Sequence, residues 1–277
     1  MNYREPLSQR AVAISISASP DMALLGLGPE HLDDAMTEVA RHLLAMGARL
    51  LYGGDLREHG FSRLLFELVA RHRRDADLGD ERVGVSNYLA WPVHAHLSAD
   101  KVIELSNALK GSAEVLCMGP DGAVVLPEAR GPATTAPATE KEWADGLTAM
   151  RMAVRSASDA RIVLGGIVEG FKGRMPGVAE EALLSLENEQ PLFLLGGFGG
   201  CTFDIAVELG LTPNKGPNRN WPGRGRFSGF SVDSLRNGLT ANENKALVAT
   251  AHIDQAVALV LRGFLRQEKI AGNQLQL

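Results

Sequence analysis

The sequence predicts an α/β protein built on a mainly parallel sheet, and three observations carry that prediction. Short, β-branched apolar runs alternate with amphipathic stretches of helical spacing. Most of the runs end in small or glycine-rich turns. The runs are also nearly continuously apolar, as strands are when helices cover both faces of a sheet. The arrangement is Rossmann-like and doubly wound, and such sheets bind ligands beyond the carboxyl ends of their strands.

The first run, Ala11–Ser17, reads as a strand followed by the small polar turn Ala18, Ser19, Pro20, Asp21. A helix follows from about Pro29 to Gly47, with Leu32, Met36, Val39, Leu43 and Leu44 at helical spacing and Gly47 as its stop. Ala48–Tyr52 is a second strand that runs into Gly53-Gly54. The helix Phe61–Arg74 places Leu64, Leu65, Leu68 and Val69 inward. It gathers Arg71, Arg73 and Arg74 in its last turn, where cations suit the helix dipole. Val83–Leu89 is a third strand, Lys101–Leu109 a short helix and Val115–Met118 a further strand, closed by the turn Gly119–Gly122.

The stretch Pro127–Thr139, rich in Ala, Thr, Pro and Gly, reads as a loop within one domain, because the alternation resumes after it. Helix Glu140–Ser156 is followed by strand Arg161–Leu164, which ends in Gly165-Gly166. Met175–Val178 opens a helix to about Glu189, Pro191–Leu195 is a strand ending in Gly196-Gly197, and Thr202–Leu209 is a helix. A long polar loop and a helix near Ile253–Gln267 complete a single domain, with its core at about residues 11–210 and a C-terminal loop and helix over 211–277.

Hydrophobic residues make up 45% and charged residues 22% of the chain, which excludes a mainly disordered protein. The net charge of -5 argues against nucleic acid as the main partner, since that affinity rests on clustered Lys and Arg. The only cysteines, Cys117 and Cys201, give neither a zinc pattern nor a disulfide framework. His94 and His96 flank Ala95 with no third ligand in view, so no metal is expected. The polar N-terminus lacks the apolar segment of a signal peptide, and no run is long enough to span a membrane. A soluble, cytoplasmic protein is expected.

The strongest local signal is the turn Gly196, Gly197, Phe198, Gly199, Gly200, Cys201, Thr202 between a strand and a helix. Glycines let a ligand approach the backbone, and the helix start offers free N–H groups, which together suit a phosphate. The Lys and Ser/Thr of a P-loop are absent, and Gly26-Leu27-Gly28 lacks the third glycine of a dinucleotide fingerprint. Ser17 and Ser19 are candidate ligand hydroxyls or helix caps. Gly53, Gly54, Asp55 and Arg57 form a second candidate turn, with Asp55 either an acceptor for a ribose hydroxyl or a turn residue. Gly165, Gly166, Lys172 and Arg174 form another, in which the cations would neutralise phosphate. Glu180 and Glu181 stand in the first turn of the next helix, where acidic groups also complement the dipole. Cys201 is either a thiol activated at a helix start or a small packing residue, the second being the commoner case. The basic segment Pro213–Arg226 is either a surface loop or a lid carrying Lys215, Arg219 or Trp221 over a ligand.

Taken together, Tyr52-Gly53-Gly54 with Gly60, Gly165-Gly166, Arg174–Glu181 and Gly196–Gly200 resemble the SLOG superfamily. That superfamily comprises the Lonely Guy (LOG) phosphoribohydrolases, the Smf/DprA proteins and the N-terminal domains of TRPM channels. The chain looks most like the prokaryotic TRPM-like branch and is similar to the SLOG sensor domains of Thoeris-type antiphage effectors. The resemblance implies a nucleotide-derived ligand of the ADP-ribose or cyclic ADP-ribose type, no required cofactor, and a homodimer. It implies either a sensor acting through a separate effector protein or, alternatively, an N-glycosidic hydrolase of nucleotides. In LOG enzymes the glycine loop reads PGGxGTxxE, and its Glu and an upstream Arg do the chemistry. Here Leu195 replaces the Pro, Gly200 the Thr, and Phe203 stands where that Glu would be, with Asp204 one position on. Arg174, Asp204 and Glu181 are therefore the catalytic candidates that the resemblance leaves.

Overall fold

The computed structural model describes residues 5–54, 60–75, 83–109, 113–126, 129–213, 216–217 and 219–274; the side chains of 72–75 and 270–274 lie outside the description. One sheet of seven strands is ordered β5-β4-β3-β2-β1-β6-β7. Its strands are β1 (Ala11–Ser17), β2 (Arg49–Gly53), β3 (Val85–Leu89), β4 (Ala113–Met118), β5 (Val124–Val125), β6 (Ala160–Gly165) and β7 (Leu192–Leu195). Every neighbouring pair is parallel except β4 with β5. The helices are α1 (Pro29–Ala45), α2 (Phe61–Asp75), α3 (Trp91–His94), α4 (Ala99–Ala108), α5 (Glu140–Ser156), α6 (Gly177–Glu187), α7 (Gly200–Glu208), α8 (Ala241–Ala249) and α9 (Ile253–Gln274).

Side-chain alternation along the strands divides the core. Val12, Ile14, Leu50, Ile162 and Leu164 face a cluster built with α1 and α9. Ala13 and Leu51 face Met150 and Val154 of α5, while Val163 packs on Val178, Ala179 and Ala182 of α6. Both faces are thus buried, which is why the strands read as apolar throughout. Each fully buried Leu, Ile or Phe contributes about 1.5–3 kcal/mol.

Topology decides where a ligand can enter. From β1 the chain moves outward through β2, β3 and β4, then returns through α5 to pair β6 with the opposite edge of β1. The strand order reverses between β1 and β6, and a crevice forms beyond the carboxyl ends at such a switch point.

The elements differ from expectation in a few places. Helix α7 begins at Gly200, two residues before Thr202, and β4 begins at Ala113. The stretch expected as a long polar loop contains α8, started by a reciprocal cap in which the Thr240 hydroxyl accepts from the Glu243 amide and Glu243 accepts from the Thr240 amide. No helix among the described residues is long and apolar enough to cross a membrane.

Candidate functional site

A cavity of about 1290 Å³ lies beyond the carboxyl ends of β1, β2 and β3, beside the switch point. Its floor is polar, formed by Ser15 and Ser17 of β1, Gly53 at the end of β2 and Gly54 after it, Arg151 of α5 and Glu181 of α6. Its lining is largely apolar and includes four aromatic residues besides Tyr52: Phe61, which opens α2, Trp91, which opens α3, Trp143 and Phe171. The Lys172 ammonium sits 3.8 Å from the centre of the Trp143 ring, and both residues line the cavity.

The floor is organised by two arginines and two glutamates. Arg151 donates from Nη1 to Glu180 Oε2 and places Nε 3.6 Å from Glu181 Oε1. Glu180 also accepts from the Thr148 hydroxyl at 2.5 Å. Arg161 of β6 donates to Ser15 Oγ at 2.7 Å, Glu181 Oε2 at 3.2 Å and Ser185 Oγ at 3.1 Å. Burial lowers the Arg161 guanidinium from the ordinary arginine value; Glu181 raises it again and Arg151 adds to the fall. Gly177 makes room for this cluster, because a Cβ there would stand 2.6 Å from Arg151 Nη2. Helix α6 starts at that same residue with no side-chain cap, and Gly177 and Val178 line the cavity. A helix start without a side-chain cap therefore borders the pocket next to a guanidinium, a combination suited to an anion, although the Ala179 amide in its first turn is directed to Cys201.

The structure brings some of the expected residues together here and leaves others apart. Ser17, Gly53, Gly54, Lys172 and Glu181 line the cavity. Gly165 and Gly166 close β6 beside it, and the Ser17 hydroxyl accepts from the Ile167 amide. Asp55, Arg57 and Lys215 lie outside the described residues. Arg174 does not line the cavity; it is 62% exposed and pairs with Asp145 at 2.6 Å. The arginine on the floor is Arg151, which sequence reasoning missed. Arg161 was read only as the first residue of a strand.

The glycine turn Gly196, Gly197, Phe198, Gly199, Gly200, Cys201, Thr202 lies outside the cavity. Its helix start is already occupied: the Asp21 carboxylate accepts from the Gly200 amide at 2.7 Å and pairs with Arg219. Ser19, buried, accepts from the Asp21 amide at 3.1 Å and so shapes this turn. Gly200 has φ +66°, and a Cβ there would meet the carbonyls of Gly165 and Gly166. Gly196 and Gly197 let the turn pack against the backbone of Val248 and Thr250, and Phe198 enters the core. Cys201 is fully buried, and burial pushes its thiol up, the reverse of activation at a helix start. Thr202 is buried as well.

Asp204 is not near the cavity either. It accepts from Trp221 Nε1 at 2.9 Å, with Arg219 and Arg224 each at 3.8 Å. Burial raises its carboxyl, against the pull of Trp221, Arg224 and Arg219. Trp221 is 2% exposed and packs edge-on to Phe227, so the second half of the basic segment is pinned to α7 and does not place this ring over a ligand.

Fold and site together define a class: a doubly wound α/β protein with an open crevice at the switch point, charged at its floor and aromatic at its walls. Within that class the assignment is specific. The family model described as SLOG cluster2 matches residues 6–221, and the chain belongs to that family. Membership points to the binding or processing of a nucleotide-related ligand. No curated protein matches the chain.

Proposed function

We propose that this protein binds a nucleotide-derived ligand of the ADP-ribose or cyclic ADP-ribose type in the switch-point cavity, and acts as a sensor. One observation carries the proposal: Arg151 and Glu181 meet on the cavity floor beside the uncapped start of α6, beneath aromatic walls. Phosphate oxygens take the α6 amides, Arg151 Nη2 and Lys172; ribose hydroxyls take Glu181; a base lies between rings such as Trp91 and Trp143. The volume of about 1290 Å³ is ample for a nucleotide-sized ligand. No cofactor is required for binding. The TRPM-like branch, a homodimer, a separate effector protein and a cytoplasmic location are parts of the same proposal.

A second function, N-glycosidic hydrolysis of LOG type, is favoured by Glu181. An Arg and a Glu from the helices flanking β6 supply the pair of groups that the β7 turn lacks. Asp204, held by Trp221 away from the cavity, does not serve that role.

The test is calorimetry with AMP, NAD, ADP-ribose and cyclic ADP-ribose, with free base scored separately by chromatography. At least one compound binds, and Arg151→Met weakens it by about tenfold or more. Binding without base release identifies the sensor, whereas release abolished by Glu181→Gln identifies the hydrolase. Absence of binding by all four compounds, or unchanged affinity in Arg151→Met, overturns the assignment of this cavity.

A further inference from the structure

Arg161 is the least expected side chain in the sheet. It is 1% exposed in a strand whose other central residues, Ile162, Val163 and Leu164, are apolar and fill the core. An alkyl side chain of similar volume would fill the same space without the desolvation cost of a buried guanidinium. What the guanidinium adds is a fixed planar fork between β1 and α6. Nε donates to Ser185 Oγ, whose own hydroxyl donates to Gln190 Oε1 at 2.7 Å. Nη1 donates to both Ser15 Oγ and Glu181 Oε2, and Ser15 and Glu181 line the cavity. One arm of the guanidinium, Nη1, therefore holds one oxygen of Glu181, while the buried Nη2 has no hydrogen-bond partner among the described residues. Among the described residues no hydrogen bond reaches the other Glu181 oxygen, Oε1, which lies 3.6 Å from Arg151 Nε.

Charge decides what such a floor accepts. Arg151 and Arg161 are matched by Glu180 and Glu181, so the cluster is balanced before any ligand arrives. A phosphate set directly against Glu181 would bring further negative charge to a carboxylate, whereas a neutral hydroxyl pair donates to it without that repulsion.

We propose that Arg161 is a positioning residue that holds the Glu181 carboxylate toward the cavity floor, so that Glu181 reads the diol of a ribose. The proposal rests on the nucleotide assignment above and adds to it the group that distinguishes ribose from deoxyribose. A carboxylate tied by one oxygen to a buried guanidinium has little freedom to follow a ligand that lacks one hydroxyl, and its lone pairs are then left unmatched.

Calorimetry on the full chain tests this with AMP and ADP-ribose against forms lacking the 2′- or 3′-hydroxyl of the adenosine ribose. The wild type prefers the intact diol by about tenfold or more. Arg161→Met and Glu181→Gln each reduce that preference to within about threefold, and the double variant reduces it no further. Arg161→Lys, which keeps the charge and loses the fork, gives an intermediate preference. Should Arg161→Met fail to fold, Arg161→Lys decides the matter: an undiminished preference in that variant overturns the proposal, as does an undiminished preference in Arg161→Met. Equal affinity of the wild type for diol and deoxy forms overturns this proposal alone and leaves the nucleotide assignment standing. No binding of any of these compounds overturns both.

Discussion

Two glycine-rich turns lead from strand to helix on the same side of the sheet, and they have opposite fates. Beyond the loop of residues 166–176 that follows β6, helix α6 starts without a side-chain cap, next to Arg151 and on the wall of the cavity. At the end of β7, helix α7 starts against Asp21, whose carboxylate takes the Gly200 amide and pairs with Arg219. The second turn has the richer glycine sequence, and its anion site is filled by the protein itself. A local motif sets the geometry of such a cradle, whereas a residue far away in sequence decides whether it stays open. Asp21 is 179 positions from Gly200.

The comparison can be broken at the filled turn first. Asp21→Ala leaves Arg219 and the Gly200 amide without their acceptor in a buried setting and should cost about 3–5 kcal/mol, read by urea denaturation. A cost under about 1 kcal/mol, the range of a surface pair, would show that the carboxylate does not fill the turn in the way described. Next in size, Gly200→Ala forces a Cβ toward the Gly165 and Gly166 carbonyls at φ +66° and should cost about 2–3 kcal/mol in the same assay. Unaltered stability there would mean that the two turns do not pack against one another.

A smaller effect concerns Asp204, whose carboxyl burial raises. A raised value in the folded chain means that the protonated form favours folding. Its contribution is complete below the ordinary aspartate value of about 4 and is lost as pH rises through the raised one. Asp204→Asn, which cannot ionise, should therefore gain stability relative to the wild type as pH rises above about 4. A difference in denaturation midpoint that stays flat over that rise contradicts the raised value. The smallest effect belongs to the open turn: Arg174→Ala removes an exposed pair and should change stability by less than about 1 kcal/mol and leave ligand affinity within about twofold. A tenfold loss of affinity would return Arg174 to the site.

The sheet was legible in the sequence because both of its faces are covered, so apolar character marks each strand whichever way its side chains point. Helix α8 was less so: its apolar residues Ala246, Leu247 and Val248 cluster at one end and show no helical repeat. Of the residues that line the cavity, Ser17, Gly53 and Gly54 were legible as small residues at strand ends, and Lys172 and Glu181 as charged residues in the loop and helix after β6. Arg151 and Arg161 were not read, although both left a trace. Arg151 falls four residues after Leu147 and three before Val154, the spacing of the inward face of α5. Arg161 interrupts an otherwise apolar strand, yet nothing local says that its partners are Ser15 and Glu181. Asp21 was assigned to a polar turn for the same reason, since its contacts are with α7 and with the basic segment near Trp221.

The placement of the three tryptophans has a practical consequence. Trp91 and Trp143 stand on the cavity wall, and the Trp143 indole carries the Lys172 ammonium. Trp221 is enclosed beside Asp204, at the filled turn. Intrinsic fluorescence is therefore divided by location. A soluble quencher reaches the cavity indoles and is shut out when a guest covers them, while Trp221 is shielded until its packing beside Asp204 loosens, so one spectrum reports on the cavity and on the filled turn without an added dye.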